Sequence, residues 1–153
     1  EPQPLLTETA KMPGLDGQKM SKSYHNTIML RDEPALVEKK ILTMPTDPAR
    51  VKRTDPGEPE KCPVWQFHKV YSNEEVKDWV QKGCRTAGIG CVDCKRPVIG
   101  AIHQELKPIQ EAISDYEADL GSVKRIVAEG SEAAREEGNK TLNTVREVMG
   151  LDY

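Results

Sequence analysis

Two groups of residues in this chain have the types and spacing to do chemistry. The first lies in "PGLDGQKMSKSYHN", residues 13–26, where Lys19 and Lys22 stand three apart, flanked by Met20, Ser21 and Ser23, on a stretch loosened by Gly14 and Gly17. Ammonium groups, hydroxyls and backbone N–H groups on a mobile loop can converge on phosphate oxygens. Many lysine- and serine-bearing loops share that composition, so the pattern indicates an anion site without identifying it. The second group is Cys62, Cys84, Cys91 and Cys94, spaced C-x21-C-x6-C-x2-C. A CxxC turn at a helix end can aim two thiolates at one ion. Four thiolates suit tetrahedral zinc and an iron–sulfur cluster equally well in ligand number, although a structural zinc site usually pairs two short knuckles and this chain has one. Four unrelated core cysteines, or two disulfides, are the competing explanations.

The elements that must position these groups read as helical. The chain is 31% charged, 37% hydrophobic and 5% aromatic, with mean hydropathy −0.64, a composition rich in helix formers and poor in strand formers. "DEPALVEKKILTM" predicts a helix capped by Asp32, with Pro34 in its first turn and an apolar stripe of Ala35, Leu36, Ile41 and Leu42. "TDPARVKRTDPGEPEKC" carries Pro48, Pro56, Gly57 and Pro59 and reads as an irregular connector. A helix begins at Pro63. Ser72 with Glu75 three residues on predicts a capping box for the next one. A long helix runs from Val92 to about Ala118, bent or broken near Pro97 and Pro108. A last helix spans about Ser122 to Met149, weakened at Gly130 and Gly138. Only "PQPLLTETA" looks strand-like. On this reading Cys62 directly precedes one helix, Cys84 ends the next, and all four thiols sit at helix ends. Trp65 and Trp79 are expected as core anchors. Tyr24 is expected to pack the base of the lysine loop. His68 and His103 lie on helices as surface or core residues.

Charge is unevenly spread. Residues 1–96 hold 16 Lys+Arg against 14 Asp+Glu, and residues 97–153 hold 6 against 11. A polyanion would prefer the first part, above all "RVKR" at 50–53. No apolar run reaches the length of a membrane span.

Lys19, Met20, Ser21, Lys22 and Ser23 spell KMSKS, a signature of class I aminoacyl-tRNA synthetases. The surrounding "PGLDGQKMSKSYHNTI" resembles the bacterial tryptophanyl-tRNA synthetases, and the resemblance continues through "TDPARVKRTDPGEPEKCPVW", "GCRTAGIGC" and the terminal "VREVMGL". It covers essentially the whole chain. His25 departs from it, standing where the family more often has a small or amide residue. The resemblance implies an enzyme that joins tryptophan to ATP, with its magnesium, releases pyrophosphate, and passes the amino acid to tRNA. In that enzyme Lys19 and Lys22 would stabilise the pyrophosphate leaving group, Met20, Ser21 and Ser23 would complete the ATP-binding loop, and Gly14 and Gly17 would permit its movement.

The family's other signature, HIGH, is not in this sequence, and neither is a tryptophan pocket. The expectation is therefore a C-terminal fragment, inactive alone and leaning towards monomer, from a cytoplasmic enzyme that is a homodimer when whole. Its fold class would be mostly α. Residues 1–31 would be the last loop of a truncated Rossmann catalytic domain, and 32–153 a helical bundle that binds the anticodon. A subset of the family resembles the four-cysteine pattern and carries a 4Fe–4S cluster, which makes that cluster the first expectation and zinc the second. Because the family reads the anticodon with its helical domain, Arg50 is expected to read a base, and Lys52 and Arg53 to meet phosphates. A free-standing metal-stabilised RNA-binding module and a class I synthetase of other specificity, such as tyrosyl, are the alternatives.

Overall fold

The protein is described here as a computed structural model, covering residues 2–6, 9 and 11–151. It is mostly helical. Five α-helices follow one another: α1 Pro34–Thr43, α2 Pro63–Tyr71, α3 Glu74–Arg85, α4 Cys91–Ala118 and α5 Leu120–Met149. No strand forms among the described residues, and the only pairing is an isolated antiparallel bridge between Pro13 and Lys19. Of the strand-like "PQPLLTETA", residues 2–6 and 9 are irregular, and 7, 8 and 10 lie outside the described residues.

The chain divides into two compact units, residues 1–110 and 111–153. The core lies in the first. Val37, Ile41 and Met44 of α1 and its end, Val64 and Phe67 of α2, and Val98, Ile99, Ile102 and Leu106 of α4 form one buried cluster. Each set repeats at three to four residues, so each helix turns one stripe inward. A smaller cluster joins Trp65, Val80 and Ile89, and Cys94 packs against both clusters.

Several local expectations shift. The buried stripe of α1 is Val37 and Ile41, with Leu36 left 42% exposed. Asp32 does not cap α1; its carboxylate accepts from Met29 N at 2.8 Å and from the Lys40 ammonium. Asn73, not Ser72, caps α3, accepting from Val76 N at 2.9 Å. The Ser72 hydroxyl is drawn instead to His68 Nδ1, 2.8 Å away. Trp79 is 43% exposed and Tyr24 70% exposed, so neither anchors a core.

Helix α4 runs through Pro97 and Pro108 without ending. The carbonyls that these prolines deprive of a partner belong to Asp93 and Gln104, both on the exposed side, where water can satisfy them. In the second unit, Asp119 caps α5 by accepting from Ser122 N at 3.0 Å. α5 passes through Gly130 and Gly138 and ends at Gly150 in the left-handed conformation. Its own residues are all at least partly exposed.

Candidate functional site

The lysine loop is tied into a knot by its own backbone. Gly14 N donates to Gln18 O at 2.6 Å, and Gly17, at φ 80°, turns the chain between them and donates to Gly14 O at 3.0 Å. The Asp16 carboxylate accepts from Gln18 N at 2.9 Å and from Asn26 Nδ2 at 2.8 Å. Those bonds, Asn26 first, hold its pKa below the usual carboxylate value. Lys22–Tyr24 form a single 3₁₀ turn closed by His25 in the left-handed region, φ 53°. That position favours glycine or asparagine, which gives a physical reason for the small or amide residue expected there.

Met20 packs against the main core cluster, anchoring the loop in the apolar interior. Lys19, Lys22 and Ser23 are exposed on either side of it. Among the described residues no ion pair involves either lysine. Two exposed ammonium groups on a fixed backbone, neither paired with a carboxylate, are suited to meet a polyanion.

The four cysteines come together. Cys62 lies immediately before α2, Cys84 in the last turn of α3, and Cys91 and Cys94 in the first turn of α4, where an i, i+3 spacing places them on one face. All four are free thiols and line one small pocket with Thr46, Asp47, Arg50 and Val64. Gly57 makes room for them: a Cβ there would stand 2.8 Å from Cys84 Sγ. Burial raises the pKa of Cys62 and Cys84, and burial with the nearby thiols pushes Cys94 up to about 12. As the side chains stand, no group of three or more His, Cys, Asp or Glu among the described residues forms a metal-ion arrangement.

Two residues brace this pocket that sequence reasoning did not assign to it. His68 is fully buried, with Nε2 3.0 Å from Cys94 O and 3.4 Å from Cys94 Sγ. A carbonyl only accepts, so Nε2 carries the proton and Nδ1 accepts from the Ser72 hydroxyl. Burial lowers its pKa to about 4, so the ring is neutral near pH 7. Lys95, 3% exposed, donates through Nζ to Leu42 O and Met44 O, both at 2.7 Å, at the end of α1.

Arg50, expected on an exposed connector, lies in the interior, 8% exposed. Its guanidinium donates to Arg53 O at 3.0 Å and to Ile89 O, and Nη1 lies 3.9 Å from Cys84 Sγ. Nε is buried with no hydrogen-bond partner among the described residues. Asp47 helps to place it, accepting from Ala49 N at 3.0 Å and Glu58 N at 2.7 Å and so folding the connector back over the arginine. Lys52 and Arg53 remain exposed. With Arg50, Thr46 and the start of α4 they line a cleft of about 400 Å³ that shares Cys91 with the thiol pocket.

Residues 1–107 match the family described as tRNA synthetases class I (W and Y). The tryptophan–tRNA ligase of Ralstonia nicotianae is 58% identical over the whole chain, and that of Thermotoga maritima 46%. The chain spans 38% and 47% of the length of those two relatives. Among solved structures, the tryptophanyl-tRNA synthetase of Campylobacter jejuni complexed with ADP and tryptophan aligns with a TM-score of 0.76 at 26% identity. That alignment covers 94% of this chain and 44% of the other.

Proposed function

The chain belongs to the class I tRNA synthetases of the W and Y family, and from that premise we propose that it forms the C-terminal part of a tryptophan–tRNA ligase. The similarity to ligases of that specificity along the whole chain favours tryptophan over tyrosine and an enzyme over a free-standing RNA-binding module. In this reading the complete enzyme activates tryptophan with magnesium-bound ATP and transfers it to tRNA in the cytoplasm. It is a homodimer joined through the half that this chain lacks. Residues 1–31 are the end of its Rossmann catalytic domain and 32–153 its helical anticodon-binding domain.

The observation that carries the proposal is the loop: a backbone pinned to the core at Met20, with Lys19 and Lys22 exposed on it and unneutralised. Charge builds on pyrophosphate as the adenylate forms, so cations held there lower the barrier more than they tighten ground-state binding. Lys22 carries the larger share, and Ser21 and Ser23 add hydrogen bonds. In the full-length enzyme, Lys22→Ala should slow single-turnover adenylate formation by about 10²–10³-fold, the effect of losing one such donor, with little change in tryptophan affinity. An unchanged rate removes Lys22 from the mechanism. The 153-residue chain alone should catalyse no tryptophan-dependent pyrophosphate exchange; measurable exchange overturns the division of the site between this chain and the rest of the enzyme.

Cys62, Cys84, Cys91 and Cys94 would hold a 4Fe–4S cluster of structural role. Their donor chemistry fits, and a buried arginine with an unpartnered Nε faces the same pocket. Zinc is the second choice, since a structural zinc site usually pairs two short knuckles and this chain has one CxxC. Lys52 and Arg53 are the proposed tRNA contacts. Arg50, first expected to read a base, would support them from the interior.

A further inference from the structure

Asn26 was no part of the chemistry read from the sequence, yet it is the most connected side chain of the loop. It is 3% exposed. Its Oδ1 accepts from Ser21 N at 2.8 Å, and its Nδ2 donates to Asp16 Oδ1 at 2.8 Å and to Lys19 O at 3.1 Å. Its own carbonyl accepts from Leu15 N at 2.8 Å. Asn26, through its carboxamide and its own carbonyl, thus ties together three passes of the chain: residues 15–16, residues 19–21, and its own segment.

We propose that Asn26 is a positioning residue for adenylate formation: its buried carboxamide grips the peptide groups on both sides of Met20 and so sets where Lys19 and Lys22 present their charge. The proposal rests on the reading of this loop as the one that acts on ATP. The chemistry admits no isostere. The side facing Ser21 N must accept, and the side facing a carboxylate and a carbonyl must donate, which an amide does and a carboxylate or an isobutyl group does not. The site is also built to fit. A Cβ on Gly14 would stand 2.3 Å from Asn26 Nδ2 and 2.5 Å from Cγ, so a side chain there would expel the amide.

Lys19 O and Ser21 N are the two groups gripped, and the 3₁₀ turn starts at Lys22, the next residue. A shift of the amide therefore reaches both ammonium groups through one or two peptide units. Ordering them before ATP arrives removes that cost from the reaction step.

The test uses the full-length enzyme. Asn26→Asp turns two donated bonds into oxygen–oxygen contacts. It should lower kcat for tryptophan-dependent pyrophosphate exchange by about 10–10²-fold, the scale of a misplacement near 1 Å, with KM for tryptophan within about twofold. Asp16→Asn added to it supplies an amide donor opposite the new carboxylate and should restore about three- to tenfold of the rate. Transfer from preformed adenylate to tRNA should stay at the parent rate. A parent-like exchange rate in Asn26→Asp overturns the proposal. So does a loss that the second substitution does not relieve and that tracks a fall in melting temperature. Should Asn26→Asp not fold, Asp16→Ala, which removes one partner at the exposed edge, should still slow exchange about three- to tenfold at unchanged tryptophan KM, and a parent rate there is equally fatal. Lys22→Ala separates the two readings. A slow Lys22→Ala beside a fast Asn26→Asp sinks the positioning role alone, whereas parent rates in both sink the loop's role on ATP.

Discussion

Lys95 carries an ammonium group into an interior that would ordinarily reject it. Burial lowers its pKa, and the neighbouring Cys91, Cys62 and Cys94 oppose that fall. What holds it is the pair of carbonyls it serves at the end of α1, Leu42 O and Met44 O, which would otherwise be acceptors without a donor. Lys95 thereby fastens the end of α1 to the turn of α4 that bears Cys94. Lys95→Met keeps the length and apolar stem but strands both carbonyls. It should cost about 2–6 kcal/mol, one unsatisfied buried acceptor being worth about 1–3. Urea unfolding of the full-length enzyme, followed by a probe of the helical domain, reads this directly; a parent midpoint would mean that water replaces the ammonium. His68 belongs to the same scale. Its tautomer is dictated by the carbonyl of Cys94 and the hydroxyl of Ser72, so one ring fixes the backbone at a candidate ligand.

At the scale of the element, each thiol depends on where a helix begins or ends. Pro63 starts α2 one residue after Cys62 because its missing N–H is no loss in a first turn. α3 stops just after Cys84, where Thr86 N reaches back to Lys82 O and Ala87 takes a positive φ of 55°. Gly83 sits against Ile89, whose methyl would be 2.7 Å from any added Cβ, so the chain can double back to α4 and its two cysteines. If the thiols share one metal group, they are one folding unit. Cys84→Ser and Cys91→Ser should then each strip iron and sulfide from anaerobically purified protein and lower the unfolding midpoint of the helical domain by similar amounts. Metal analysis beside thermal unfolding checks both. Small and unequal effects, with no iron or zinc in the parent, would mean four independent core cysteines.

For the whole molecule the proposed ligase raises the question of which surface would meet tRNA. The positive balance lies in residues 1–96, and two exposed cations, Lys52 and Arg53, line the cleft that shares Cys91 with the thiol pocket. Arg53 Nη2 is 3.9 Å from Asp93 Oδ2 in an exposed pair, too weak a tie to withhold the arginine from a phosphate. Lys52 makes no ion pair among the described residues, which leaves it the better probe. Lys52→Ala in the full-length enzyme should weaken tRNA binding whatever the anticodon sequence. The slope of log affinity against log salt should drop by about 0.7–0.9, the share of one phosphate contact. Adenylate formation should be untouched. Parent-like binding and slope would move the RNA surface away from this connector.

The sequence by itself determined the helical class, the order of the helices within a few residues, the irregular connector, and the placing of four cysteines at helix ends. These follow from periodicity, proline and spacing, which act over a few residues. It also marked Lys19 and Lys22, because a signature string is local. What only the tertiary structure decided was which side of each element faces inward. Arg50 and Lys52 are two apart on one connector, yet one is buried and the other exposed, and the difference is made by Asp47, Glu58 and Ile89, up to 39 residues away. Trp79 lies outside and Lys95 inside for the same reason: the partner surface, or the pair of carbonyls, comes from another helix. Asn26 was illegible because an asparagine after a loop reads as a turn residue until its three partners are brought round it. A buried polar group is set by the company it keeps in space, and no window along the chain contains that company.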